Sequence, residues 1–415
     1  MDAVSEAESH ILIAGGGMVG LSLALLLHEQ LPAETRITVV EGRALPASTA
    51  PQNDYHPSFD ARSTALSYST ATLYRELGLW TSLLPGLAPI DQIHVSRRGR
   101  FGSSLLSSAE QGWDALGWVV ENPCLGRTLL AAVHACSRVT LRCPDRVTDA
   151  VPSGSGVRVR LAEEELEADL LVIADGAEST LREKMGFLTQ RKSYGQSALI
   201  ANLAFEKDHG GCAYERFTAT GPLALLPLPP SEQAAHRMAL VWTLDPSDAA
   251  AMEIAEEATF SRALLDAFGY RLGRVERVGD RHSYPLALTE AVEQVRRGCV
   301  VLGNAAHALH PVAGQGFNLA LRDAAALSHA LANAADTGAD AGDTAVLMQY
   351  AENRQRDQAQ TIAASDGLPA MFMVNDPLLS LGRDLALSGM DMFPLLRREF
   401  VQQAAGMAAL EARHG

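Results

Sequence analysis

The sequence predicts an α/β fold of the α+β kind, with a Rossmann-like domain interleaved with an antiparallel-sheet domain and a helical C-terminal region. Three observations predict it. Near the start, an apolar strand pattern, ILIA, runs through GGGMVG into a helix pattern. From about 190 to 280, successive apolar or alternating runs read as antiparallel strands. Near 300 another buried strand, CVVLG, leads through a glycine-containing loop into a long helix pattern. The expected segments are 9–75, 104–187 and 281–342 for the first domain, 76–103 and 188–280 for the second, and 343–412 for the helical region.

Composition narrows the function classes. With 47% hydrophobic and 20% charged residues among 415, the chain is not disordered and can bury a sizeable core. A formal charge of −15 disfavours nucleic acid as a partner, while leaving room for a local basic patch facing a pyridine dinucleotide. The cysteines, at 124, 136, 143, 212 and 299, are odd in number and make no CxxC, so free structural thiols in a reducing compartment are expected. The opening MDAVSEAESH is acidic where a secretory signal is basic. The uncharged run over 11–27 falls just short of a membrane span and has three glycines near its start, so it reads as a strand, a turn and a helix.

In chain order, ILIAGGG begins as a strand, and Gly15, Gly17 and Gly20 fit G-x-G-x-x-G ahead of the helical LSLALLLHEQL. The first glycine permits a tight turn, the second lets backbone approach a pyrophosphate, and the third lets helix and strand pack closely. RITVVEG is the next strand, and Glu41 at its end can accept hydrogen bonds from a ribose diol. Strand, glycines, helix and carboxylate together predict a dinucleotide site. Arg62 follows in a turn-rich segment, either facing a cofactor or serving as a surface ion-pair residue. LGWVVENPCLGRTLLAAVHAC reads as strand, turn and helix, and LEADLLVIADG as a strand ending at Asp175-Gly176. Asp175 is open to two readings, a turn residue ahead of a helix with Ser179 near its first turn, or part of a cofactor arm.

YGQSALIANLAF, CAYERFTATGPLALLPLP and HRMALVWTL are the successive strands of the second domain, followed by a helical pair over about 248–268 and a returning strand, RVERVGDRHSYPLAL. They offer Tyr214, Arg216, Trp242 and Tyr284 as cavity residues, with plain packing or solvent exposure as the alternative. In GNAAHALHPVAGQGFNLALRD, backbone N–H groups at the helix start can receive an anionic group. Pro311 and Gly314 suit a planar ring. His307 and His310 lack a local carboxylate or thiol set, so no metal site is expected. The Met-, Phe- and Leu-rich tail can pack on the body, on a partner or on a bilayer.

Five stretches, ILIAGGGMVG, FDARSTALS, YGQSALIANL, AYERFTATGPLALLPL and GNAAHALHPVAGQGFNLALRD, carry a resemblance over nearly the whole chain. Together they resemble the FAD-dependent aromatic monooxygenases of the para-hydroxybenzoate hydroxylase fold. The likeness is to the ubiquinone-biosynthesis hydroxylases, and within them to the 2-polyprenyl-6-methoxyphenol hydroxylase branch. The resemblance implies that Gly15, Gly17 and Gly20 surround the FAD pyrophosphate, that Glu41 holds the adenosine ribose, and that Arg62 and Arg127 lie along the flavin or its diphosphate. It puts Asp175 near the cofactor and a route for NAD(P)H, and Pro311 beside the isoalloxazine. It further puts the Gly314, Gln315 and Gly316 backbone at the pyrimidine edge, with Asn318 helping to hold that end. Asn304 stands where many relatives have an aspartate on the ribityl hydroxyls, which marks a subtype. His307 positions the loop.

The implied activity is hydroxylation of a polyprenylated methoxyphenol in ubiquinone biosynthesis, through NAD(P)H-reduced flavin, O2 and a C4a-hydroperoxide. His310 is a weak candidate for the base. Alternatives are another phenol or an isoprenoid lipid as substrate, or an assembly role in a quinone-biosynthesis complex. The expected location is cytoplasmic, with peripheral contact to the inner membrane left open.

Overall fold

Apolar runs become strands wherever both of their faces are covered. In the computed structural model, which describes residues 9–45, 62–98, 103–154, 156–309 and 314–373, with side chains as far as 367, six strands form the first sheet. Their order is Val295–Arg296, Cys299–Val301, Leu170–Ile173, His10–Ala14, Arg36–Val40 and Val139–Arg142, all parallel except the first pairing. Ile11, Ile13 and Val172 pack on the helices Met18–Gln30, Asn122–Ala135 and Gln315–Asp336. Leu12, Leu171 and Ile173 face a small antiparallel sheet made of Asp149–Ser153, Gly156–Arg160 and Glu165–Ala168. Burial on both faces explains why these strands read as continuous apolar runs rather than alternating ones.

The run over 11–27 folds as the expected strand, turn and buried helix, and among the described residues no helix is long and apolar enough to cross a membrane. All five cysteines are unpaired, and burial pushes their thiols above the ordinary range.

The second sheet has eight strands in the order His307–Ala308, Val275–Ala291, Thr189–Phe205, Arg237–Leu244, Pro222–Leu228, Cys212–Phe217, Gln92–Arg97 and Ser103–Ser107. It is antiparallel apart from the pairing of Cys212–Phe217 with Gln92–Arg97. Ser103–Ser107 and the end of Val275–Ala291 belong to it, so it reaches past the boundaries expected at 103 and 280. One face, the outer, is covered by the helices Pro246–Ile254 and Glu257–Phe268. The other, inner, face packs toward a three-stranded sheet of Ser63–Ser67, Gly117–Glu121 and Leu87–Ile90. The helix Thr344–Met373 lies along Gln315–Asp336, to which Arg354 and Asp357 tie it.

Candidate cofactor and substrate site

The glycine turn sits where three neighbouring parallel strands end. Gly15 has φ 119, and a Cβ on it would lie 2.4 Å from the Ala174 carbonyl oxygen; its N–H donates to the Val40 carbonyl at 2.8 Å. A Cβ on Gly20 would lie 2.0 Å from the Gly15 carbonyl oxygen, so only glycine lets the helix start this close to the strand. Gly17 caps that helix with no side-chain hydrogen bond and no acidic residue in its first turn. The leading N–H groups are therefore left for an anion. Glu41 stands against this turn, its Oε2 accepting from the Gly16 N–H at 2.8 Å and its Oε1 from the Arg43 N–H at 2.9 Å.

Two further turns meet the first. Gly303, with φ 65, lies against Val19 in the first turn of the same helix, and Asn304 beside it is exposed. Arg182 is buried, and its Nη1 donates to the carbonyls of Ala177 at 3.1 Å and Ala305 at 2.9 Å. It thereby joins the turn after Asp175 to the turn after Gly303. Ser179 caps the short helix Thr180–Lys184 by accepting from the Arg182 N–H, as its sequence position predicts. Asp175 is accessible on one side, but surrounding protein desolvates its carboxyl and pushes its pKa up, against the opposing pull of Ser179.

The long helix Gln315–Asp336 also begins without a side-chain cap, from Gly314 in the left-handed region at φ 62. A Cβ on Gly316, in its first turn, would meet only Leu309 Cβ, at 3.9 Å, among the described residues. Asn318 is only 2% exposed, and its amide is fully engaged by protein. Its Nδ2 donates to Ala65 and Gly314 carbonyls at 2.8 and 2.9 Å, while its Oδ1 accepts from the Ser67 N–H and Thr70 hydroxyl, both at 2.8 Å. Asn318 therefore ties the start of this helix to Ala65, Ser67 and Thr70. Below it, buried His307 pairs through Nε2 with Asp323 at 2.6 Å, and Asp323 pairs with Arg354 at 2.6 Å. This pairing ties His307 to the helix Gln315–Asp336; His310 and Pro311 lie outside the described residues.

Of the four expected cavity residues, three sit on the outer face of the sheet. Tyr214 packs edge-on to Phe268 and Trp242 to Phe260, with ring centroids 5.3 and 6.4 Å apart, and Arg216 Nε donates to the Ala267 carbonyl at 3.0 Å. All three partners belong to the helix Glu257–Phe268. Strand side chains alternate between faces, so a choice of parity decides the whole set, and here the bulky residues went to the helices. Tyr284 alone has inner parity, opposite Ala198, and the Arg62 guanidinium lies 5.3 Å from its ring centroid. Arg127 sits partly accessible on Asn122–Ala135.

The same alternation turns Glu215 inward. It lies in a row across the sheet with Val95, Ala224, Val241 and Ile200. These side chains keep accessible surface although Ala213 and Ala239 on one side, and Phe217, Thr243 and Ala198 on the other, are buried. The row is thus the floor of a mostly apolar trough. Sequence reasoning passed over Glu215 in favour of its larger neighbours in AYERF, and over Arg182 and Arg354, whose partners lie far away in the chain.

Two helix starts without side-chain caps, two positions that only glycine allows to pack this closely and a carboxylate at a strand end fit a large anionic dinucleotide. A family profile described as FAD binding domain matches residues 8–365. The chain belongs to the family of FAD-dependent monooxygenases that includes the ubiquinone-biosynthesis hydroxylases. This monooxygenase is 34% identical over 409 residues to the ubiquinone hydroxylase UbiL of Rhodospirillum rubrum, covering 98% of this chain and 91% of that one. It is 30% identical over 410 residues to the 3-demethoxyubiquinol 3-hydroxylase of Escherichia coli, covering 97% and 100%. Its fold matches that of the p-nitrophenol 4-monooxygenase PnpA of Pseudomonas putida with a TM-score of 0.75, at 19% identity, over 96% of this chain and 98% of that one.

Proposed function

We propose that this flavoprotein hydroxylates the aromatic ring of a polyprenylated methoxyphenol in ubiquinone biosynthesis, with NAD(P)H and O2 as cosubstrates. The observation that carries the reading is the junction of the two domains. There Arg62, next to the strand Ser63–Ser67, stacks over Tyr284 on the inner face of the large sheet. Gly314, at the start of the proposed cofactor seat, lies against Ala65 of the same strand, so a substrate reaching the Tyr284 end of the trough would approach that seat. Near-full-length likeness to UbiL and the 3-demethoxyubiquinol 3-hydroxylase supports the same substrate class.

In this reading Gly15, Gly17, Gly20 and the first helix receive the FAD diphosphate, and Glu41 takes the ribose hydroxyls. Arg62 and Arg127 lie along the flavin or its diphosphate arm, and Asn304 bonds the ribityl chain. Bound FAD supplies the redox chemistry, passing electrons from a nicotinamide nucleotide to O2 and delivering one oxygen atom to the ring. The chain orients the phenol and excludes water. Asn304 both donates and accepts, so it suits neutral hydroxyls without adding a negative charge. Burying an isoprenoid tail along Val95, Ala224, Val241 and Ile200 contributes about 0.8 kcal/mol per CH2. Such a substrate is drawn from a lipid phase, which favours a cytoplasmic enzyme in peripheral contact with the inner membrane or with other quinone-forming enzymes.

Purified protein is expected to be yellow, to release FAD on denaturation, and to place one atom of labelled O2 in the phenolic product. Label arriving only from water, or protein that stays colourless after FAD addition, overturns the reading.

A further inference from the structure

We propose that Glu215 is the general base that accepts the phenolic proton of the substrate. The inference rests on the phenol-hydroxylase reading above and names a residue within it. Glu215 projects from Cys212–Phe217 into the trough, flanked by Val95 of Gln92–Arg97 and Ala224 of Pro222–Leu228. The residue keeps some accessible surface, yet its Oε1 is sealed from solvent and accepts no hydrogen bond among the described residues. A buried carboxylate oxygen without a donor is costly, and sites of this kind persist where a ligand completes them. A phenol lying along an apolar trough brings one strong donor, its hydroxyl. The four residues beside Glu215 in the row, Val95, Ala224, Val241 and Ile200, are apolar, and the polar residues at its ends are Ser104, opposite Val95, and His282, opposite Ile200.

Desolvation alone pushes the Glu215 carboxyl up to about 7. The charged or titratable groups sharing this face are Arg97 on its own side, Arg237 paired with Glu121, and His282 and Tyr284 with Arg62 at the far strand. None of them contributes to the shift. A base is most effective when its pKa lies near the working pH. In the step, the phenol O–H bond breaks and its electron pair stays on oxygen, while the proton forms a new O–H bond on the carboxylate. The phenolate raises electron density at the ring carbons ortho and para to it. One of them forms its C–O bond as the O–O bond derived from O2 breaks, the second oxygen atom leaving as water. That carbon then loses its hydrogen as a proton while the original phenolic oxygen regains one, which restores the aromatic ring. The carboxyl then returns its proton to water as the product leaves.

The test compares FAD-loaded wild type with Glu215→Gln and Glu215→Asp on a short-chain prenylated methoxyphenol. Wild-type turnover should rise with pH through about 7. Glu215→Gln should lose about 100-fold or more and show no rising limb, while Glu215→Asp keeps the limb. FAD content and the rate of flavin reduction by NAD(P)H should match wild type in both. Melting provides a readout independent of turnover. The folded carboxyl binds its proton more tightly than the unfolded one, so wild-type stability falls as pH rises from 4.5 to about 7. Glu215→Gln should therefore melt above wild type beyond pH 7 and level with it below 4.5. A wild type that turns over phenol with labelled O2, beside a Glu215→Gln variant with the same pH profile, overturns the base alone. A wild type that places no labelled oxygen in phenol removes the base together with the reading it rests on.

Discussion

Replacing Asp323 with alanine tests how the helix Gln315–Asp336 is tied to His307 and Arg354. Asp323 is 1% exposed and sits between His307 Nε2 and Arg354 Nε, both at 2.6 Å. Arg354 also pairs with Asp357, which in turn holds Arg322 at 2.8 Å. Desolvation works against the Asp323 carboxylate, but Arg354 and His307 prevail and hold its pKa at about 2 against the ordinary 3.8. At 1.36 kcal/mol per unit, that preference is worth roughly 2 kcal/mol. A depressed carboxyl adds stability that is fully present above 3.8 and lost as pH falls through about 2. Deleting the side chain costs more than protonating it, because buried Arg354 then keeps only Asp357. Breaking one partner of such a pair costs about 3–5 kcal/mol. The measurement is the denaturant midpoint of the transition that releases flavin, at neutral pH, with the slope checked against wild type. The double variant Asp323→Leu with Arg354→Met should recover most of the loss, since Asp357 retains Arg322 and no buried charge is stranded. A single variant within about 1 kcal/mol of wild type, or a double variant as poor as the sum of the singles, refutes the argument.

Gly15→Ala should yield colourless protein, because its Cβ would meet the Ala174 carbonyl oxygen at 2.4 Å and the backbone sits at φ 119; the ratio of FAD to protein checks it. Trp242→Ala should destabilise by about 3–5 kcal/mol through loss of its packing against Phe260, with KM unchanged in protein that folds. Tyr284→Leu should do the reverse, raising KM while changing the unfolding midpoint by no more than the roughly 1 kcal/mol of its stacking with Arg62.

The cofactor half of the molecule was legible because its requirements are local. A turn at φ 119, a close helix start and a carboxylate at the next strand end leave a fixed spacing in Gly15, Gly20 and Glu41. Hydrophobic pattern likewise revealed the buried strands and the helices over Pro246–Ile254 and Glu257–Phe268. The antiparallel-sheet half was less legible for a physical reason. In AYERF, both parities carry residues suited to a cavity, and the sequence does not say which face the helices will cover. Large aromatic side chains resemble a ligand wall, yet Tyr214 and Trp242 bury more area by meeting Phe268 and Phe260. The supports were hidden too, since Arg182 reaches Ala305 and Arg354 reaches Asp323 only through the tertiary fold.

Two buried carboxylates show how one chain divides support from chemistry. Asp323 and Glu215 incur the same kind of desolvation penalty, but the first is given two donors and the second none among the described residues. The outcome is a carboxyl held at about 2, fixed in charge across the working range, and another raised to about 7, poised to change its charge within it. A loop that must stay put while the reaction turns over needs the first kind of group. A proton acceptor beside an apolar substrate needs the second, since a satisfied carboxylate would have no lone pair directed at the phenol and too low a pKa to take its proton. Supplying Glu215 with a permanent partner, by Ala224→Lys on the adjoining strand, should therefore lower its pKa and slow hydroxylation while leaving flavin reduction intact. Retained hydroxylation with an unshifted pH profile would show that the missing hydrogen bond is incidental to the chemistry.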